Sequence, residues 1–315
     1  ERWVLGKPEN VVRVKVQENG DGEPIFPLRM GKGPPSDEFE TFVDKFEPMM
    51  ASMAAFTFND AFMKMISAQL PLFQILMLRG ILTTCLIALV MLAMGRLRFA
   101  VPREDRWLVF TRVVAEAASA YFFLTALFNM PIANVSAIMQ ALPLAITLAA
   151  AVFFREPVGW RRLSAIFVGF FGVMLIIRPG AEDFTIYSLY TLAAVVVVTI
   201  RDLATRRLSA ETPSMAVTFY SSLGVTFFFA MAAPSQGWVP VDGYAAMMIA
   251  GASVMVIGGY ICSIMVMRIG EISFVATFRY TSLVWALLLG WLVFGDWPKP
   301  VTLLGASIVI GSGVF

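Results

Sequence analysis

From Met49 to Phe315 the apolar residues come in long blocks, separated by short turns rich in Pro, Gly and Arg. Ten blocks can be distinguished, at roughly 49–67, 72–94, 107–128, 132–154, 161–177, 186–205, 214–233, 243–267, 272–294 and 299–315. Most approach the ~20 residues that a helix needs to cross ~30 Å of hydrocarbon. Several contain Gly, Pro or Thr, which membrane helices tolerate better than soluble ones. The alternation of barrel strands is missing. The pattern predicts an all-α membrane protein of ten transmembrane helices.

Residues 1–48 differ in kind. "VVRVKVQENGDGEPIFPLRMGKGPPSDEFE" is charged, rich in Gly and Pro, and has no apolar stretch of membrane length. It lacks the charged-then-apolar opening of a secretory signal. A short alternating run at Val11–Val16 fits a strand, and Asp37–Phe46 fits an amphipathic turn or two. A mostly irregular, non-membranous extension is expected over 1–48, followed by membrane units at 49–177 and 186–315. Opening on Glu1 and stopping at Phe315 inside an apolar block, the chain is expected to be a piece of a longer product.

Composition agrees: 58% of residues are hydrophobic and 15% charged, with a mean hydropathy of +0.76, against about 45–50% and about 25% in soluble domains. The chain has no histidine, which removes imidazole catalysis and most zinc sites. Cys85 and Cys262 both fall inside apolar blocks, so they read as small buried residues rather than a disulfide framework or metal site. No metal or cofactor is expected. The net charge of +2 resides in short loops and implies no nucleic-acid partner.

Loop charge sets an orientation. With the amino end inside, the inner loops carry Arg96, Arg98, Arg103, Arg106, Arg155, Arg161, Arg162, Arg206, Arg207 and Arg268, and the outer loops only Arg178 and Lys299. The positive-inside rule then puts both ends in the cytoplasm, with loops 178–185 and 234–242 outside.

The chain also matches itself. "FFREPVGWRRLSAIFVGFFG" (153–172) lies over "VFGDWPKPVTLLGASIVIGS" (293–312) at an offset of 140, aligning Phe154 with Phe294, Glu156 with Asp296 and Leu163 with Leu303. "NDAFMK" (59–64) lies over "RDLATR" (201–206) at 142. With five helices in each half, the second half must be inverted relative to the first. Inverted repeats are a hallmark of secondary carriers.

On these blocks, together with "RGILTT", "ALFNMPIANVSAIMQALPL", "RDLATRRL" and "FRYTSLVWALLLGWLVFGDWP", residues 50–315 resemble the drug/metabolite transporter superfamily, specifically its EamA-type ten-helix members. The most specific block is "REPVGWRR…GFFGV…IRPG". The resemblance implies a permease of the bacterial inner membrane that moves small organic molecules through a central cavity lined by both halves. Asn-Asp in helix 1 and Arg-Asp in helix 6 look like the subgroup that carries S-adenosylmethionine, riboflavin or related metabolites.

Charges inside predicted helices each need a reason, since one at the bilayer centre costs about 2.5–3.5 kcal/mol on insertion scales. They are Asp60, Arg79, Arg112, Glu116, Arg201, Asp202 and Arg279. Asp60, next to Asn59, precedes Lys64 by four residues, and Asp202 precedes Arg206 by four, the favourable order for a helix ion pair. Such pairs serve packing or gating, or touch substrate. Asp60 is expected to pair with Lys64 or with a base on an adjacent helix. Glu116, the deepest carboxylate, is either stapled by Arg112 or a substrate or proton site. Helix 4 carries Asn134, Ser136 and Gln140 near Pro143, and helix 9 carries Ser273, Thr277 and Tyr280 with Trp285 beyond. These polar stripes face a partner helix or a cavity. Ala165, Gly169 and Gly172 on helix 5, with Ser307 and Gly311 on helix 10, have the spacing of close helix packing.

The leading reading is a secondary carrier of a small amphipathic organic molecule, embedded in the bilayer, with proton coupling, as monomer or homodimer. Its rivals are a membrane transferase, a passive channel, or an exporter of amino acids or drugs on the same fold. A transferase would gather acidic residues for Mg²⁺ and pyrophosphate, and no paired-aspartate motif exists. No Walker A sequence points to ATP.

Overall fold

The computed structural model describes residues 17–18, 24–25, 35–93, 99–155, 159–179, 184–209, 211–269 and 278–314, with side chains from Met49 onward except 263–269, 278 and 314. The strand expected at Val11–Val16, Arg96, Arg98, Glu156, Ser273, Thr277 and the Arg268 side chain lie outside this description. Gln17–Glu18 pairs antiparallel with Pro24–Ile25 in one small unit, Glu1–Asp44. The other unit, Lys45–Phe315, is helical.

The helices are α1 (Pro35–Met65), α2 (Leu72–Ala93), α3 (Arg106–Asn129, after a 3-10 turn at Arg103–Asp105), α4 (Ile132–Met139), α5 (Leu142–Phe154), α6 (Trp160–Ile177), α7 (Ile186–Arg206), α8 (Ser214–Ala232), α9 (Gly243–Ile269), α10 (Thr281–Phe294, after a 3-10 turn at Phe278–Tyr280) and α11 (Pro300–Val314). Proline marks many of the starts: Pro71, Pro131, Pro213 and Pro300 stand at or just before a first turn, where the missing N–H costs nothing. Two expectations change. Helicity begins at Pro35 rather than 49, so part of the expected irregular extension is helix. The fourth block is two helices, because Pro143 has no N–H to continue the ladder and a turn forms at Gln140–Ala141.

Among the described residues, seven helical segments are long and apolar enough to cross a membrane, and two shorter apolar ones follow at 281–294 and 300–313. Large apolar side chains such as Phe167, Phe171, Phe227 and Leu292 are exposed around the bundle. Cys85 is exposed among them rather than buried.

Packing pairs helices from the two ends of the sequence. α2 packs on α8, α6 on α11 and α4 on α10, each joining counterpart positions of the first and second five-helix sets. α3 packs on α7 and α8, and α9 packs on α2. α9 also meets α1, where Ser52 Oγ donates to the Gly259 carbonyl at 2.8 Å and Phe56 stacks edge-on against Tyr260.

The two ends of the bundle are built differently. At one end, where α2 begins and α3 finishes, Met63, Ile66, Ile75, Leu127, Phe229 and Ile249 form a dense apolar core. The buried Gln74 amide holds both backbone groups of Val239 there, at 2.6 and 3.0 Å. At the other end, Asp105 accepts from the Ser209 N–H at 3.1 Å, from the Ser209 hydroxyl at 2.6 Å and from the Thr212 hydroxyl. Tyr220 donates to the Phe99 carbonyl at 2.9 Å.

Candidate functional site

A polar cavity among the described residues lies between these ends and is lined by one face each of four helices. α2 supplies Arg79, Gly80, Thr83 and Ile87; α3 supplies Arg112 and Glu116. α8 supplies Thr218, Ser221, Ser222 and Val225; α9 supplies Val256 and Tyr260. Every set keeps the three-and-four spacing of a single helix face. The empty volume is about 480 Å³, part of it open to solvent. Gly80 lets α2 and α8 approach: a Cβ there would fall 3.2 Å from the Thr226 Cα. Thr84 and Ser222 share a hydrogen bond of 2.8 Å beside it.

A relay of charges surrounds the cavity. Arg79 donates to Asn59 Oδ1 at 3.1 Å, and Asn59 donates to Asp60 Oδ1 at 2.9 Å. Glu116 meets Arg201 of α7 at 3.2 Å and its own-helix neighbour Arg112 at 3.8 Å. Arg201 continues to Asp202 at 2.8 Å. Arg279 shares the field of Asp202 and Arg201. Arg112 donates to the Thr205 hydroxyl at 2.5 Å. Tyr260, from the second half, lies in the field of Glu116, Arg201, Arg112 and Arg79 together.

The structure thus corrects the local pairings. Asp60 is partnered by Asn59 and Arg79, the base on an adjacent helix, and not by Lys64. Lys64 instead donates to the carbonyls of Leu127 at 2.7 Å and Met130 at 2.6 Å, where the last carbonyls of α3 lack partners in their own helix. Asp296 is the carboxylate in its field, and the Phe294 ring sits 5.6 Å away. Asp202 is held by Arg201, while Arg206 lies over the Phe154 ring at 5.8 Å. Glu116 is bound more closely by Arg201 than by Arg112.

Of the helix-4 and helix-9 candidates, the described ones, Asn134, Ser136, Gln140, Tyr280 and Trp285, do not line this cavity. Gln140 donates to the Ser282 hydroxyl at 2.9 Å and the Tyr280 carbonyl at 3.4 Å, stitching the α4–α5 break to the 3-10 turn before α10. Trp285 packs with Met49, Met53 and Phe56. Asn134 Oδ1, the Tyr280 hydroxyl and the Trp285 N–H are buried without a protein hydrogen bond. Sequence reasoning passed over Thr83, Thr218, Ser221, Ser222 and Tyr260. Thr218, Ser221 and Ser222 form a visible hydroxyl stripe in an apolar block, but hydroxyls also bond their own helix cheaply and so draw less notice than charges.

Five buried polar atoms of the lining have no protein hydrogen-bond partner: Arg79 Nε, Thr83 Oγ1, Arg112 Nε, Glu116 Oε2 and Ser221 Oγ. Buried polar atoms are nearly always satisfied, so such a concentration marks a place where another molecule's polar groups belong. Among the described residues, no three His, Cys, Asp or Glu side chains gather to hold a metal ion.

The EamA-like transporter family matches residues 49–178 and again 185–315. The chain belongs to this family. It is 31% identical over 190 residues to a riboflavin transporter of Vibrio cholerae, covering 60% of this chain and 63% of that protein. It is 26% identical over 189 residues to an S-adenosylmethionine uptake transporter of Rickettsia felis, covering 59% and 63%. The matches thus span just under two thirds of the length of these relatives. A pseudopaline exporter, CntI, of Pseudomonas aeruginosa is 24% identical over 265 residues, covering 83% and 92%. A solved crystal structure of a protein shares the fold, with a TM-score of 0.62 and 18% identity over 85% of this chain and 95% of that one.

Proposed function

We propose that this protein is a secondary carrier that moves a small amphipathic organic molecule across a bacterial inner membrane by alternating access. One observation carries the reading: the cavity draws its lining from both halves of the chain and presents five buried polar atoms that the protein leaves unmatched. Cargo groups match them. The names of the relatives favour a small organic cargo and leave direction open, since one is named for uptake and another for export.

In this reading the two five-helix halves are inserted in opposite senses. The reciprocal packing of counterpart helices supports it. So does the break at Gln140–Ala141, whose repeat counterpart is the 3-10 turn at Phe278–Tyr280, since carriers of this kind have discontinuous helices near the midplane. The Arg-rich end is cytoplasmic, both chain ends face it, and the apolar core at the opposite end closes the outer side. Protons are the coupling ion, exchanged at Glu116, which Arg112, Arg201, Arg79 and Tyr260 surround.

The test is purified full chain in proteoliposomes under an imposed pH gradient, offered riboflavin, S-adenosylmethionine, amino acids and nucleosides. At least one cargo should accumulate above its equilibrium level, an uncoupler should abolish the accumulation, and Glu116→Gln should fail to accumulate it. Absence of saturable uptake of any cargo would overturn the carrier reading. Accumulation indifferent to the uncoupler and to Glu116→Gln would remove proton coupling alone.

A further inference from the structure

A carrier must part at each end in turn, and here the apolar core packs the Lys64 end. Two polar ties join the halves of the chain there. The internal repeat lets each be compared with its counterpart at the Asp105 end, toward which the cavity lining leans.

The first tie is the same at both ends. Lys64 lies 5.6 Å from the Phe294 ring, and Arg206 lies 5.8 Å from the Phe154 ring. The repeat pairs Lys64 with Arg206 and Phe294 with Phe154. A contact made equally at a packed end and at the end nearer the cavity does not separate shut from open.

The second tie does. Val239, in the segment before α9, lies over Phe99, in the segment before α3, at the offset of 140. Phe99 is held by one bond, from the Tyr220 hydroxyl at 2.9 Å, at an exposed site. Val239 is held by two: the Gln74 amide donates to its carbonyl at 2.6 Å and accepts from its N–H at 3.0 Å. Gln74 is fully buried. Beside it the Phe73 N–H, a first-turn donor with no partner in its own helix, is taken by Gln236 Oε1 at 3.0 Å. The position matching Gln74 at the offset of 142 is Ala216, which has no amide to offer.

This clamp joins two walls of the cavity. Gln74 precedes Arg79 of the lining by five residues, roughly 7.5 Å along α2. Val239 leads into α9, which supplies Val256 and Tyr260. Each bond is exchanged for bonds to water when the walls part fully, at small net cost. A partial separation strands buried donors and acceptors with neither partner, which is far costlier. The amide therefore makes the seal two-state, shut or hydrated.

Resting on the carrier reading, we infer that Gln74 is the bolt of the gate at the Lys64 end. Its bonds to Val239, braced by Gln236 on Phe73, hold α2 against the start of α9 and break each time that end opens.

The test uses the full chain with both native cysteines replaced by alanine and Ser222→Cys as reporter on the cavity wall. An impermeant maleimide is applied to right-side-out and to everted membrane vesicles. Gln74→Leu keeps the bulk of the side chain and removes both bonds. It should speed labelling from the Lys64 side at least about fivefold, the factor that one net hydrogen bond contributes to an equilibrium. Tyr220→Phe, which removes the exposed bond at the other end, should leave that rate unchanged. A second reading needs no access to the cavity: spin labels on Gln69→Cys and Ser235→Cys, exposed residues of the two halves at this end, should gain a population of longer separation in Gln74→Leu. Unchanged labelling and separation in folded Gln74→Leu overturn the inference, and so does an equal effect of Tyr220→Phe. Where Gln74→Leu does not fold, Gln236→Ala decides, since its amide is exposed: labelling from the Lys64 side should rise about twofold, and no rise overturns the inference. Opening of this end by Gln74→Leu without flux of any cargo in proteoliposomes would sink the carrier reading alone. Flux in a chain whose Lys64 end ignores Gln74→Leu would sink only this inference.

Discussion

Asn59 stands between Asp60 and Arg79, donating to the one at 2.9 Å and accepting from the other at 3.1 Å. Its amide lets a carboxylate and a guanidinium on neighbouring helices share one buried polar path, and Asn59 itself is 4% exposed. The energetic link therefore runs from Asp60 to Arg79. Double-mutant cycles on melting free energy should give a coupling of about 0.5–3 kcal/mol for Asp60→Asn with Arg79→Gln, the range for residues in one network. For Asp60→Asn with Lys64→Met the coupling should be near zero; the opposite ranking would restore the local pair. Sequence alone singled out every charge of this relay, because a charge in a greasy helix is conspicuous. It could name Lys64, Arg206 and Arg112 as local partners, and for Asp60 only an unspecified base on an adjacent helix besides, because four-residue spacing is the only proximity that a single helix reveals. Arg201 reaching Glu116 from α7 is a tertiary fact with no local signature.

Helix contacts divide in the same way. Gly172 of α6 and Gly305 of α11 face each other so closely that a Cβ on the first would lie 2.8 Å from the Gly305 carbonyl oxygen. One on the second would lie 2.6 Å from that of Gly172. Close packing of these two helices was legible from their small residues, but the register was not: Ser307 is exposed and nothing approaches within 4 Å of a Cβ at Gly311. Gly172→Val or Gly305→Val should lower the melting temperature of purified protein by several degrees, through overpacking of about 1–3 kcal/mol, while Gly311→Ala should change it little. A second element-level test concerns helix ends. α5 closes on Arg155 and α10 on Gly295, aligned by the 140-residue repeat, and both adopt left-handed backbone, with φ of 54° and 67°. A side chain costs roughly 1–2 kcal/mol in that conformation. Arg155→Gly should therefore raise thermal stability by up to about 1 kcal/mol once glycine's own chain entropy is subtracted. An unchanged or lower melting point would mean the arginine makes compensating contacts at the cap.

For the whole molecule the question is which end of the bundle faces which side of the membrane. α3 has 24 residues, hence a length of about 36 Å, and it is anchored at both ends. Asp105 ties its start to the α7–α8 turn, and Lys64 caps its finish. Exposed tryptophans fall near both limits, Trp107 and Trp160 at one and Trp238 and Trp297 at the other, as interfacial aromatics do. Between them the cavity lining leans toward the Asp105 end, through Ile87, Arg112, Thr218 and Tyr260, while the Lys64 end is packed with apolar side chains. Arg155, Arg161, Arg162, Arg206 and Arg207 cluster with the Asp105 end, and the proposed orientation, with that end cytoplasmic, follows the positive-inside rule. Cysteines report this directly if both native cysteines are first replaced by alanine. Ser235→Cys, in the turn after α8, should react with an impermeant thiol reagent added outside intact cells. Glu211→Cys, in the α7–α8 turn, should react only after the cells are opened; it serves better than Ser209, whose N–H and hydroxyl hold Asp105. Ser222→Cys, on the cavity wall, should follow Glu211→Cys in everted vesicles, because the lining leans toward the Asp105 end. Labelling of Glu211→Cys from outside would reverse the orientation, and labelling of Ser222→Cys equally from both sides would mean that the Lys64 end does not seal.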